Sequence, residues 1–159
     1  MIYDRRHTRE ISQFGGISNV MPVFAIVFGI MTMSSIGLPL LNGFIGEFTI
    51  MAGALQERLW WAIVAGSGIV LGAAYMLWLY QRMFFGTIDN PKTRRLPDLN
   101  IREWAYMVPL MILSLWIGVY PKPFLEYIQQ PVNAVVKQVR PEYQIPGTPA
   151  AATTERAQR

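Results

Sequence analysis

The feature that most constrains this chain is a run of 36 residues, 20–55, that contains a single charged side chain, Glu47. A helix on the surface of a soluble domain carries polar residues every three or four positions, so a run of this kind does not suit a water-exposed surface. Two further segments, 59–81 and 104–120, contain no charged residue. The sequence therefore predicts an all-α membrane protein with about three transmembrane helices.

The order of polar and apolar stretches predicts how the chain is organised. The predicted regions are a cytoplasmic-side lead-in (1–19), a broken transmembrane helix (20–56), a second transmembrane helix (59–82), a basic cytoplasmic-side loop (83–103), a third transmembrane helix (104–121), an outer-side amphipathic segment (122–140) and a disordered tail (141–159). The amphipathic segment is expected to be a short helix interrupted at Pro131.

The first apolar segment is too long for one straight crossing. As a continuous helix it would reach ~54 Å, whereas the hydrocarbon core of a bilayer is ~30 Å thick. Glycine and proline in its centre predict a discontinuous helix, and neighbouring polar side chains can satisfy the freed backbone groups. The break residues are Gly37, Pro39 and Gly43, and the supporting polar residues are Ser34, Ser35 and Asn42. Such a break borders an ion path in some proteins and is a simple proline kink in others.

Lysine and arginine are distributed unequally over the two sides of the predicted spans. One side carries Arg5, Arg6, Arg9, Arg82, Lys92, Arg94, Arg95 and Arg102, and the other has Arg58 and Lys122 close to the membrane. The chain is expected to be a multi-pass protein of the inner membrane of a bacterial cell or an organelle. Because positively charged loops stay on the cytoplasmic side, its amino terminus is expected to face the cytoplasm or the matrix. This bias accounts for the net charge of +4, so the lipid bilayer is an expected partner and nucleic acid is not.

Glu47 is the candidate for chemistry. It lies nine residues before the end of its segment, which places it near the middle of the membrane. An ionised side chain there costs roughly 3 kcal/mol, so such a residue normally faces a bundle interior or water. A carboxylate held between desolvation and hydration can load and release a proton, although a permanently protonated, structural glutamic acid is the other reading.

Other features point away from a redox or metal role for this chain itself. It has no cysteine and a single histidine, and it lacks the spacings of metal sites and phosphate-binding loops. Ala65, Gly68 and Gly72 form a small-residue face on the second span, which predicts close helix packing. No cofactor is therefore expected in this chain.

Five stretches of the sequence together indicate a family: YDRRHTREISQFGG, MTMSSIGLPLLNGFIGEF, LGAAYMLWLYQRMFFG, DLNIREW and IGVYPKPFL. They resemble the C-terminal part of subunit M of the respiratory NADH:quinone oxidoreductase, complex I, whose mitochondrial counterpart is subunit 4. The resemblance extends over residues 1–125. It reaches only the last three of about fourteen helices in that family, so the chain is expected to be a fragment.

The resemblance implies a role in proton translocation. In that family the twelfth helix is discontinuous and carries a functional acidic residue, which falls on Glu47 in GFIGEF. Glutamate there favours the subunit M type, because sibling subunits and cation/proton antiporters usually have lysine. Electron transfer from NADH to quinone, with flavin and iron–sulfur clusters, would belong to other subunits, and the partners would be other membrane-arm subunits, especially neighbouring antiporter-like ones.

The function implied is that of a non-redox, proton-translocating subunit that couples quinone reduction by NADH to proton pumping, with the isolated chain inactive. Two alternatives stay open. The first is a cation/proton antiporter or a membrane-bound hydrogenase subunit, which would use the same helices with different partners. The second is a non-catalytic membrane scaffold in which Glu47 is structural.

Overall fold

The computed structural model describes residues 1–88 and 90–139, and these residues contain helices and no strand. The helices are α1 (Ile2–Arg6), α2 (Pro22–Ser35), α3 (Asn42–Glu57), α4 (Leu59–Phe84), α5 (Ile101–Val119) and α6 (Lys122–Val139), with 3-10 turns at Ile11–Gln13 and Ile17–Asn19. The prediction of an all-helical fold is thus confirmed. The predicted disordered tail, 141–159, lies outside the described residues.

The chain divides into two compact units, Met1–Tyr120 and Pro121–Arg159, and the described part of the second unit is α6. This helix is continuous from Lys122 to Val139, so the expected interruption at Pro131 does not occur. A proline inside a helix removes one backbone hydrogen bond. In a helix of 18 residues the other bonds are sufficient to carry the backbone past it.

The buried core of the first unit lies where the lead-in meets the start of α2 and the end of α4. Its members are apolar side chains drawn from all three elements and the following loop: Phe14, Ile17, Met21, Phe24, Ala25, Met83, Phe84 and Leu96. Tyr80 stacks on Phe84 and donates a hydrogen bond of 3.1 Å to the carbonyl of Ala25. The start of α2 is therefore fixed against the end of α4.

Asp98 caps the start of α2 from the loop before α5. Its two carboxylate oxygens accept hydrogen bonds from the backbone amides of Val23 (3.0 Å) and Phe24 (3.1 Å). The first amides of a helix have no partner within the helix, and the helix dipole also stabilises a negative charge at this end. This long-range cap holds the loop against α2.

A second charged contact joins the lead-in to the first turn of α5, ahead of the predicted span. The Arg5 guanidinium donates to both carboxylate oxygens of Glu103, at 2.7 and 2.6 Å, and both side chains are nearly buried. This bidentate bond, together with the amide of Asn100, lowers the pKa of Glu103 from 4.5 to about 2, against the opposing effect of burial. The carboxylate is thus held ionised over the whole neutral range.

Among the described residues, α4 is the one helix that is both long and apolar enough to cross a membrane by itself. The helix α2 is apolar but short, and α5 meets the same criterion only when it is taken together with α6. The predicted count of three spans is therefore not confirmed. For the first predicted span the reason is the break, which divides the apolar segment into helices of 14 and 16 residues.

Candidate functional site

The end of α2 is built around Gly37. This residue adopts φ 74°, a left-handed conformation that glycine reaches without steric cost. The amide of Gly37 donates to the carbonyl of Ser34 (3.3 Å), and the amide of Leu38 donates to that of Met33 (3.0 Å). This pair of bonds is the Schellman arrangement that closes a helix. The chain therefore leaves α2 at a defined angle directly after Ser35.

A tight turn follows and leads into α3, and residues 36–41 between the two helices form the break. The amide of Leu41 donates to the carbonyl of Leu38 (3.1 Å), Pro39 occupies the second position of the turn, and Leu40 has φ 78° in the third. A positive φ at that position is typical of a type II turn, and it costs energy for a leucine. Gly118 of α5 supports the turn, since any side chain on it would collide with the Leu40 carbonyl.

Three polar side chains meet beside this turn, each from a different helix. Ser34 lies at the end of α2, Asn42 is the first residue of α3, and Ser114 lies in the middle of α5. Both serine hydroxyls donate to Oδ1 of Asn42, at 2.7 Å for Ser114, and the two hydroxyl oxygens are 3.0 Å apart. The serines are 6% and 5% exposed, whereas Asn42 is exposed, so this cluster is a polar junction between helices whose serine side is buried.

Glu47 lies within α3, and its half-buried carboxylate rests against the backbone of Gly37. It borders a cavity of about 340 Å³ between the break, α3 and α4. The polar side chains of that lining are Ser35, Glu47 and Tyr75, and the remainder is apolar or glycine. Among the described residues no side chain forms a hydrogen bond or ion pair with the Glu47 carboxylate, which lies against Gly37 in a residue that also lines this cavity.

The structure brings most of the predicted site residues into one region, in different roles. Gly37 and Pro39 lie in the break, whereas Gly43 lies in the first turn of α3, where a β-carbon would meet the carbonyl carbon of Ser34 at 3.1 Å. Ser34 and Asn42 belong to the polar junction. Ser35 lines the Glu47 cavity instead.

Sequence reasoning missed the contribution of α5. Ser114 and Gly118 are four residues apart and therefore lie on one face of the helix, which is the face against the break. Ser114 is the only hydroxyl-bearing residue between Tyr106 and Tyr120, and the serine–glycine spacing is a small-residue pattern that could have drawn attention to it. Among the described residues open space lies next to Gly68, so the close helix contact that the small-residue face permits is not made there and stays a prediction.

Comparison with known proteins identifies the class. Residues 1–72 match the family described as NADH:quinone oxidoreductase/Mrp antiporter, a transmembrane family. The chain is 41% identical to NADH-quinone oxidoreductase subunit M of Rhodobacter capsulatus over 153 residues, which cover 96% of this chain and 29% of the relative. It is 40% identical to NADH-ubiquinone oxidoreductase chain 4 of Marchantia polymorpha over 136 residues, or 86% of this chain and 28% of the relative.

The fold agrees with these relatives. A chain of the respiratory complex I from Thermus thermophilus with bound NADH superposes with a TM-score of 0.72 at 31% identity, over 78% of this chain and 26% of that one. The protein is thus a membrane protein of the antiporter-like class. Within that class the chain belongs to the subunit M, or chain 4, type of NADH:quinone oxidoreductase. It spans under a third of the length of the relatives it matches.

Proposed function

We propose that this chain is a piece of a proton-translocating membrane-arm subunit of NADH:quinone oxidoreductase, and that Glu47 takes up and releases the proton. The supporting observation is the position of Glu47: one carboxylate in an otherwise uncharged segment, set against a helix break and open to a cavity. The relatives named above support the assembly to which it belongs.

The surroundings of Glu47 suit a group that changes its protonation state. A carboxylate in apolar surroundings favours the neutral form, whereas water in an adjoining cavity favours the ionised form. The cavity beside Glu47 has room for several water molecules, and Ser35 and Tyr75 offer hydroxyl groups to them. A proton can therefore pass between water in this cavity and the carboxylate without a fixed ion pair to break.

The proposal includes a membrane arrangement. Three crossings, formed by α2 with α3, by α4 and by α5, put the lead-in and the basic loop on the cytoplasmic or matrix side of the inner membrane. The contacts of Asp98 with α2 and of Arg5 with Glu103 support this arrangement, because they gather the lead-in and the loop at the same end. Glu47 would then serve the exit towards the outer side.

The partners follow from the same assignment. Other membrane-arm subunits, especially neighbouring antiporter-like ones, would contact this chain. NADH, flavin, iron–sulfur clusters and quinone would be bound by other subunits, in keeping with a sequence that has no cysteine. The chain would thus act in a translocase without carrying electrons.

The test is Glu47→Gln in the full-length subunit of the assembled complex, with proton pumping and NADH:quinone turnover measured in sealed membranes. We expect both to fall sharply with assembly intact, because glutamine keeps the shape of the side chain and cannot release a proton. The matched control is Glu126→Gln, which removes an exposed carboxylate from α6. Normal pumping by Glu47→Gln would show that this acid is structural.

Two other functions can be separated from this one. A cation/proton antiporter is favoured only by the breadth of the matching family, whose description includes the Mrp antiporter. The genes that flank the reading frame distinguish it, since complex I genes would support the proposal. A passive scaffold would tolerate Glu47→Gln without loss of pumping.

A further inference from the structure

The polar junction of Ser34, Asn42 and Ser114 joins α5 to the broken helix by hydrogen bonds. We propose that Ser114 is a positioning residue for proton transfer at Glu47. Its hydroxyl holds Asn42, and Asn42 fixes the start of the helix that carries Glu47. This inference rests on the proposed function and adds to it a residue on a different helix.

The number of protons in the junction determines what each member contributes. The two serines have one hydroxyl proton each, whereas the three side chains make three mutual contacts. With both protons directed to Asn42, the two hydroxyl oxygens remain 3.0 Å apart without a proton between them. Removal of Ser114 therefore breaks the link from α5 to α3 and leaves the bond between Ser34 and Asn42 in place. The break itself should survive this change.

The junction can affect Glu47 because both lie on one short helix. Asn42 begins α3, and Glu47 follows five residues later, about 7.5 Å along the helix axis. The carboxylate is restrained at its other side by the backbone of Gly37. A shift at the first residue of α3 therefore changes how the Glu47 carboxylate sits between Gly37 and the cavity.

Gly118 supports the same contact one turn further along α5. It has no side chain, which allows the backbone of Leu40 to approach the helix directly. The two contacts define how α5 lies against the break, one through hydrogen bonds and one through shape. In a membrane such contacts matter more than apolar burial, because lipid is as apolar as the side chains.

The electrostatic surroundings of Glu47 make a change at Ser114 interpretable. From α4 the titratable side chain facing the cavity is Tyr75, while the end of α2 contributes Ser35 and the break contributes Ile36. Within the described part of the chain no lysine, arginine, histidine or second carboxylate lines the cavity. Replacing Ser114 with an uncharged residue leaves the charges around Glu47 unchanged, so any change in its titration reports its position.

The experiment uses the full-length subunit in the assembled complex, with Ser114→Ala, Ser114→Thr and a matched control, Ser67→Ala. The control serine lies on α4, and its hydroxyl donates to the carbonyl of Val64 in the same helix with no other bond among the described residues. The measurements are the pH dependence of proton pumping and turnover, and the infrared band of the Glu47 carboxyl group, identified by its absence in Glu47→Gln. If Ser114→Ala does not assemble, Ser114→Cys replaces it as the variant with a weakened donor.

We expect Ser114→Ala to lower turnover by about threefold to tenfold, the effect of one hydrogen bond, and to shift both the pH profile and the infrared band. Ser114→Thr should restore turnover to within about twofold, because it keeps the hydroxyl. Ser67→Ala should match the wild type. A wild-type pH profile and an unmoved carboxyl band in Ser114→Ala, or in Ser114→Cys, would overturn the inference.

The two proposals fail in different ways. Unchanged pumping by Glu47→Gln would remove the proposed function, whereas the infrared band would still report whether Ser114 positions the carboxyl group. Lost pumping by Glu47→Gln together with wild-type behaviour of Ser114→Ala would remove only the positioning role.

Discussion

The carboxylate of Glu47 lies against Gly37, so closely that a β-carbon built on the glycine would be 2.9 Å from the carboxyl carbon. The contact joins the acid of α3 to the terminus of α2. It depends on residue 37 having no side chain and on a backbone conformation with φ 74°. Gly37 therefore does two things: it ends one helix and leaves room for the acid of the next.

The first prediction concerns this glycine. We expect Gly37→Ala to lower the free energy of unfolding by about 1–3 kcal/mol, because alanine is strained at positive φ and its methyl group collides with Glu47. Unfolding in mixed detergent micelles, followed by circular dichroism, measures the change. Gly46→Ala is the control, since Gly46 is helical and has open space beside it. Equal stability of the two variants would contradict the role given to Gly37.

The second prediction concerns the cap on α2. We expect Asp98→Ala to cost about 1–2 kcal/mol, because the amides of Val23 and Phe24 lose their acceptors at the helix terminus. The same unfolding assay measures it. Asp4→Ala should leave the free energy of unfolding unchanged, because this exposed carboxylate pairs, among the described residues, only with the terminal amine. Loss of stability in both variants to the same extent would argue against a specific cap.

The third prediction is a pH dependence. The pKa of Glu103 is lowered to about 2 from an ordinary 4.5, so its ion pair with Arg5 stabilises the fold above pH 4.5 and is lost as the pH falls from 4.5 towards 2. We expect Arg5→Gln to be less stable than the wild type at neutral pH, with a difference that shrinks through this window. Stability measured at a series of pH values tests it.

A control for that experiment is Lys122→Gln. The pair of Lys122 with Glu126 is exposed and 3.8 Å long, so its removal should change little at any pH. If the deficit of Arg5→Gln stays constant down to pH 2, the carbonyl contacts of Arg5 with Met1 and Asp98 account for it, and the ion pair does not.

The fourth prediction concerns transport by the chain alone. The 153 aligned residues span 29% of the subunit M relative, so under the proposed function the chain holds only part of a proton path. We expect no proton transport when the purified chain is placed in sealed vesicles containing a pH-sensitive dye. A vesicle preparation of the assembled complex is the positive control. Measurable transport by the chain alone would mean that it is not a fragment of a pump.

The helix break shows which structural features can be predicted from residues that are close together in the sequence. Glycine at the position after a helix and proline shortly beyond it are local preferences, so the residues around Gly37 and Pro39 were open to prediction from the sequence. The backbone conformation within the break could not be predicted in this way. Leu40 adopts a positive φ although leucine disfavours it, because the turn and the approach of Gly118 require that conformation.

The partners of the break could not be read from the sequence. Asn42 and Ser114 are 72 positions apart, and Arg5 and Glu103 are 98 apart, and nothing local to either member indicates the other. Composition predicted a small-residue packing face that includes Gly68, but in the described residues a cavity adjoins it. Packing partners depend on how helices cross, which a pattern within one helix does not define.

The exposed surface of α4 has a consequence for how the molecule comes apart. Trp60, Trp61, Val70 and Leu71 are all at least 60% exposed, so the outer face of α4 makes little apolar contact with its neighbours, whereas its end at Met83 and Phe84 lies in the buried core. In hydrocarbon its own backbone hydrogen bonds keep it helical. Loss of the two contacts that Ser114 and Gly118 make should separate α5 from the break while the helices persist. We therefore expect the contacts between helices to be lost before the helices themselves unfold.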